Sequence, residues 1–100
     1  MKISIKEAAE AINATLEGRL DTAASSQFSK DMQPLLDNAG KHIILDCKNL
    51  EFISSSGLRL FLALRKATIA ANGKVTILNV QESIKQVFVL TGFYSLFEFE

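Results

Sequence analysis

The feature that most constrains this chain is a hydrophobic period that switches back and forth along its length. Ile3 and Ile5 alternate with Lys2, Ser4 and Lys6, and Ile12, Ala14 and Leu16 alternate with Asn13, Thr15 and Glu17. A two-residue period belongs to half-buried strands, and the polar stretch from Glu7 to Glu10 joins the two as an antiparallel pair. After Gly18-Arg19-Leu20-Asp21 the period lengthens: Ala24, Phe28, Met32, Leu35, Leu36 and Ala39 form one helical face. Pro34 interrupts that helix because it lacks an amide proton and clashes with the preceding turn, and Gly40 ends it.

Ile43-Ile44-Leu45, followed by Asp46 and Cys47, is an unbroken apolar run of the kind found in a central strand covered on both faces. A second helix is predicted to start within Ser54-Ser55-Ser56-Gly57 and to run to about Ala71, where Asn72-Gly73 stops it. Val75, Ile77, Leu78 and Val80 form the next strand. Ile84, Val87, Phe88 and Thr91 line a third helix that ends at Gly92, with Phe93 beyond it placed to touch Phe88. Phe97 and Phe99 alternate against Glu98 and Glu100 in a final strand. The order β-β-α-β-α-β-α-β predicts one α/β domain over residues 1–100. Its mixed sheet is mostly parallel, the first strand is antiparallel, the crossovers are right-handed and helices pack against the sheet. Neither a linker nor an internal repeat divides the chain.

Composition narrows the function. Formal net charge is zero and the basic residues are scattered, which argues against a nucleic-acid partner or an anionic membrane surface. No apolar run approaches the roughly 20 residues that span a bilayer, and the alternating start is unlike a signal peptide. A cytoplasmic location is therefore expected, and the single cysteine, Cys47, agrees with it; its apolar run marks Cys47 as a small core residue.

The segment from Asp46 to Leu58 is the most informative. It joins the central strand to the second helix, which places Ser54, Ser55 and Ser56 beyond the carboxyl edge of the sheet, where open α/β sheets usually carry their sites. One serine suffices to cap a helix. Here three stand in a row and Gly57 follows, at a cost of roughly 1 kcal/mol in helix propensity relative to alanine. A bare backbone there suits the close approach of another surface. In the helix that follows, Arg59, Ala63, Lys66 and Ala70 make the one polar or small stripe, beginning at the serines, and this is the natural exposed face.

Three segments together, Gly18-Arg19-Leu20-Asp21, Asp46-Cys47-Lys48-Asn49-Leu50-Glu51-Phe52-Ile53-Ser54-Ser55-Ser56-Gly57-Leu58 and Val89-Leu90-Thr91-Gly92-Phe93, resemble the STAS domain of bacterial anti-sigma-factor antagonists. The resemblance implies a domain without enzymatic activity and without a cofactor. Such a domain binds an anti-sigma factor that is commonly a serine kinase, frees the sigma factor, and is switched off by phosphorylation; a metal-dependent phosphatase reverses the switch. The position matching the target serine is Ser55, with Ser54 as a second acceptor. The resemblance also puts Asp21, Ser54, Ser56 and Gly57 near the partner surface, joined there by Arg59, Ala63 and Lys66 of the exposed stripe. Ser54 stands where many members carry aspartate, and Arg59 where many have a second glycine. The family often ends in a further helix, and stopping at Glu100 would expose a sheet face or edge, which suits a monomer or weak dimer.

Two rival classes remain. Asp21 and Asp46, read as ending strands near Ser55, could form an acid/base or metal pair, yet a serine nucleophile would lack an evident base, since His42 is remote in sequence. Capping accounts better for those carboxylates. Alternatively, a STAS-type subunit of a lipid-transport or sensory complex would use the same surface without phosphorylation. Asp21, Asp46 and Glu51 are the anticipated like-charged neighbours of a phosphate on Ser55.

Overall fold

In the computed structural model, which describes residues 1–100, strand order across the sheet follows chain order: β1 (Lys2–Glu7), β2 (Ala11–Leu20), β3 (His42–Ile53), β4 (Lys74–Leu78) and β5 (Glu98–Phe99). β1 runs antiparallel to β2, and every later pair is parallel. Each parallel connection therefore steps one strand over in the same direction. Right-handed crossovers of that kind put all their helices on one side of the sheet.

The burial pattern agrees. A core of 20 buried residues joins Ile12, Ala14, Leu16, Ile43, Leu45, Cys47, Val75 and Ile77 of the strands to Phe28, Leu35, Phe61, Leu64, Ile84 and Phe88 of the helices. The alternate strand residues face away from that layer. This corrects the expectation of a central strand covered on both faces: Ile44 is only half-buried, flanked in register by Asn13 and Thr76. On the same helix-free face the hydroxyl of Thr76 donates to Glu98 Oε2 (3.2 Å) and accepts from His42 Nε2 (2.7 Å).

The helices are α1 (Thr22–Asp31), α2 (Gln33–Asp37), α3 (Ser55–Ala70) and α4 (Glu82–Leu90). The break between α1 and α2 falls at Met32, two residues before Pro34, as the proline predicts. α3 supplies Phe61 to an aromatic cluster; its ring centroid lies 6.2 Å from Phe28, 6.0 Å from Phe88 and 6.4 Å from Phe97. Past α4, Gly92 takes φ +80°, and the amide of Phe93 bonds back to the carbonyl of Phe88 at 2.8 Å. No helix is long and apolar enough to cross a membrane.

β3 is the main surprise. It runs for 12 residues, well beyond the apolar run. Pairing with β4 stops at Asp46↔Leu78, whereas pairing with β2 continues to Leu20↔Ile53, so β2 and β3 go on past β4 as a ribbon, flanked by β1 as far as Lys2↔Glu17 and two-stranded from Gly18↔Leu50. Two register shifts, each with an extra residue in β3, bend this ribbon. Asp46 supports the first bulge: its Oδ1 accepts from the amide of Lys48 at 3.1 Å.

Cys47 is fully buried on the core face of β3. Burial, with a smaller contribution from the Asp46 carboxylate, pushes its thiol up to about 12. Because the thiolate is the reactive form, a maleimide or disulfide reagent at pH 8 is expected to label the native protein only at its unfolding rate. Addition of urea should expose one thiol per chain; rapid labelling without denaturant would contradict the packing.

Candidate functional site

At the ribbon's end both strands turn into helices side by side. Leu20 pairs with Ile53, and the amide of Ser54 donates to the carbonyl of Leu20 at 2.8 Å. Asp21 is the N-cap of α1, with Oδ1 accepting from the amide of Ala24 at 2.8 Å. Ser54 is the N-cap of α3, with Oγ accepting from the amide of Gly57 at 3.1 Å. Each cap satisfies one of the donors that a helix leaves free at its start.

Ser25 ties the two termini together. This buried side chain donates to the carbonyl of Asp21 at 2.8 Å and lies 3.5 Å from Ser54 Oγ. The sequence reading passed over Ser25. Its signal was present: Ser25 shares the inward face of α1 with Phe28 and Met32, where an unpartnered hydroxyl would be costly.

The three serines thus divide. Ser54 is half-buried and its oxygen is occupied by the cap. Ser55, the first residue of α3, is exposed, and Ser56 is half-buried. Arg59, Ala63, Lys66 and Ala70 follow Ser55 at helical spacing and are all exposed, as the wheel anticipates. A phosphate on Ser55 would meet the positive end of the α3 dipole and, one turn on, the guanidinium of Arg59.

Gly57 requires a correction. It was read as leaving the backbone open to an approaching surface, but it is buried, and the surface that approaches belongs to the same chain. A Cβ at this position would lie 2.7 Å from Leu20 Cγ and 3.1 Å from Ile53 Cγ1. The missing side chain lets α3 sit down on the ribbon.

The acidic residues separate as well. Asp21 is the carboxylate brought to the serines. Asp46 does not end a strand near Ser55; it holds the first bulge, where β4 leaves off. Glu51 is the extra residue of the second bulge, and it lines a shallow depression with Glu17, Gly18 and Asn49. His42 opens β3 at the end opposite the serines, bonded to Thr76.

This arrangement is a mixed sheet with helices on one face and a serine-capped helix beside an aspartate-capped one. The chain belongs to the STAS domain family, whose model matches residues 2–100. It is 27% identical over 97 residues to BtrV of Bordetella bronchiseptica, which carries the name of an anti-sigma factor antagonist; the match covers 97% of this chain and 84% of that protein. The fold matches the unphosphorylated form of the anti-sigma factor antagonist SpoIIAA with a TM-score of 0.82, at 24% identity, over 99% of this chain and 88% of that one. It also matches part of the murine anion transporter Slc26a9 with a TM-score of 0.75, at 18% identity, over 90% of this chain but 15% of the transporter.

The geometry assigns different weights to neighbouring positions. Ser54→Ala is expected to cost about 1 kcal/mol through the lost cap, whereas Ser55→Ala should stay within about 0.5 kcal/mol of the parent. Gly57→Ala should cost about 0–2 kcal/mol net, overpacking of about 1–3 kcal/mol against Leu20 and Ile53 being offset by roughly 1 kcal/mol of helix propensity. Urea unfolding monitored by circular dichroism checks all three; equal effects at positions 54 and 55 would contradict the assignment of the cap.

Proposed function

We propose that this protein is an anti-sigma-factor antagonist whose binding face surrounds Ser55. It binds an anti-sigma factor that is also a serine kinase, releases the sigma factor, and is turned off when that kinase phosphorylates Ser55. A metal-dependent phosphatase restores it. The domain does no chemistry of its own and works in the cytoplasm as a monomer or weak dimer. The observation that carries this reading is the division of labour at the start of α3: Ser54 closes the helix, and Ser55 is left exposed and free to be modified.

The switch follows from electrostatics. A phosphoserine carries roughly −1.5 to −2 charge near neutral pH. In the free protein that charge is accommodated, since a helix N-terminus favours an anion by about 0.3–1 kcal/mol and Arg59 lies one turn along. Inside a closed interface the dianion must shed its water next to Asp21, and Arg59 is drawn toward it and away from the partner. Every ~1.4 kcal/mol lost weakens binding tenfold. Asp21, Ser54, Ser56, Gly57, Arg59, Ala63 and Lys66 shape the surface that the partner covers, with Gly57 acting from beneath it.

A second reading is a non-catalytic subunit of a lipid-transport or sensory complex that binds its partner without phosphorylation; the fold it would use is shared with a segment of Slc26a9. Incubation with ATP and the cognate kinase, followed by mapping of the phosphate by mass spectrometry, separates the two. A single phosphate on Ser55 is expected, absent in Ser55→Ala, which should still bind the kinase; Ser55→Asp should bind at least tenfold more weakly. Binding without phosphorylation would favour the transport or sensory reading.

A further inference from the structure

The ribbon beside Ser55 carries a surface that the serine switch does not use. Arg19 and Phe52 are cross-strand partners on its helix-free face, opposite in alternation to the buried Leu20 and Ile53. Phe52 is 38% exposed, unusual for a strand phenylalanine, and the Arg19 guanidinium carbon sits 4.4 Å from its ring centroid. Arg19 has no carboxylate partner; the one ion pair of the chain joins Lys74 to Glu98. Its guanidinium donors therefore remain available to an incoming acid.

The edge of β3 is open at the same place. Beyond Asp46 no strand pairs with its outer side. The last group found there is Gln81, whose Nε2 donates to the carbonyl of Lys48 at 3.2 Å. Residues Asn49 to Ile53 thus present main-chain donors and acceptors along an edge that recognises extended polypeptide. The polar depression lined by Glu17, Asn49, Glu51 and Gln81, about 680 Å³ and wide open, lies alongside.

We propose that the anti-sigma factor adds an extended segment to this edge of β3, placing an apolar side chain on Phe52 and a carboxylate on Arg19. This rests on the reading of Ser55 as the partner-facing switch. The two surfaces are continuous, because the ribbon ends at Ser54. The strand holds the partner in register while the serine face decides whether it stays.

Hydrogen exchange on the full chain, with and without the purified kinase that modifies Ser55, tests the proposal. The amides of Asn49 to Ile53 on the open side should exchange readily in the free protein and slow at least tenfold in the complex. Phe52→Ala and Arg19→Glu should each weaken binding at least tenfold, with thermal melting unchanged and Arg19→Lys intermediate. Protection confined to the start of α3, with both variants binding normally, would overturn the proposal and leave the switch standing. Protection of the same amides in the free protein at high concentration, together with a dimer by sedimentation, would overturn it in favour of a second copy. Failure of the kinase to bind or modify the wild-type chain would remove the switch and this proposal together.

Discussion

The hydrogen bond from the Ser54 amide to the Leu20 carbonyl fixes where two chain segments stop being strands. Both then start helices within two residues, each capped by its own side chain, with Ser25 between the caps. From that junction α1 and α3 run back over the sheet and bury Phe28, Phe61 and Leu64 against β2 and β3. A shift of one residue at the ribbon's end would turn Leu20 and Ile53 outward and move Ser55 off the first helical position, because side-chain direction alternates along a strand. The position of the Ser55 hydroxyl is therefore as firmly set as the core.

The same alternation explains why the site faces two ways. Odd-looking polar residues of the ribbon, Arg19 and Glu51 among them, point to the side without helices, while Asp21 and the serines belong to the helix starts. The two bulges in β3 bend the ribbon without breaking it, so a partner at its tip can touch the exposed stripe of α3 and the helix-free face together.

Much of this was legible in the residues. The switches in hydrophobic period give the five strands and the helices between them, although Val80 lies beyond β4 and Phe97 before β5; Pro34 gives the break between α1 and α2, and the serine run gives the start of α3. The length of β3 was hidden because two bulges destroy its alternation, so that Lys48, Asn49 and Glu51 read as loop. The helix-free face was hidden for a different reason: Ile43-Ile44-Leu45 looks buried on both sides, and only the common direction of the crossovers leaves Ile44 half-covered. Gly57 was singled out for its bare backbone but given the wrong neighbour, since a pattern along the chain does not reveal that Leu20 lies beneath it. Asp46 and Asp21 look alike in sequence and part only in three dimensions, one at a bulge and the other at a cap.

The central claim is that a dianion on one exposed hydroxyl dismisses a bound protein. The direct measurement is a calorimetric titration of the cognate kinase with unmodified protein and with protein stoichiometrically phosphorylated on Ser55, at equal salt. A dissociation constant at least tenfold larger for the phosphorylated form is predicted, with both forms sharing one fold by circular dichroism. Equal constants for the two forms would contradict the account.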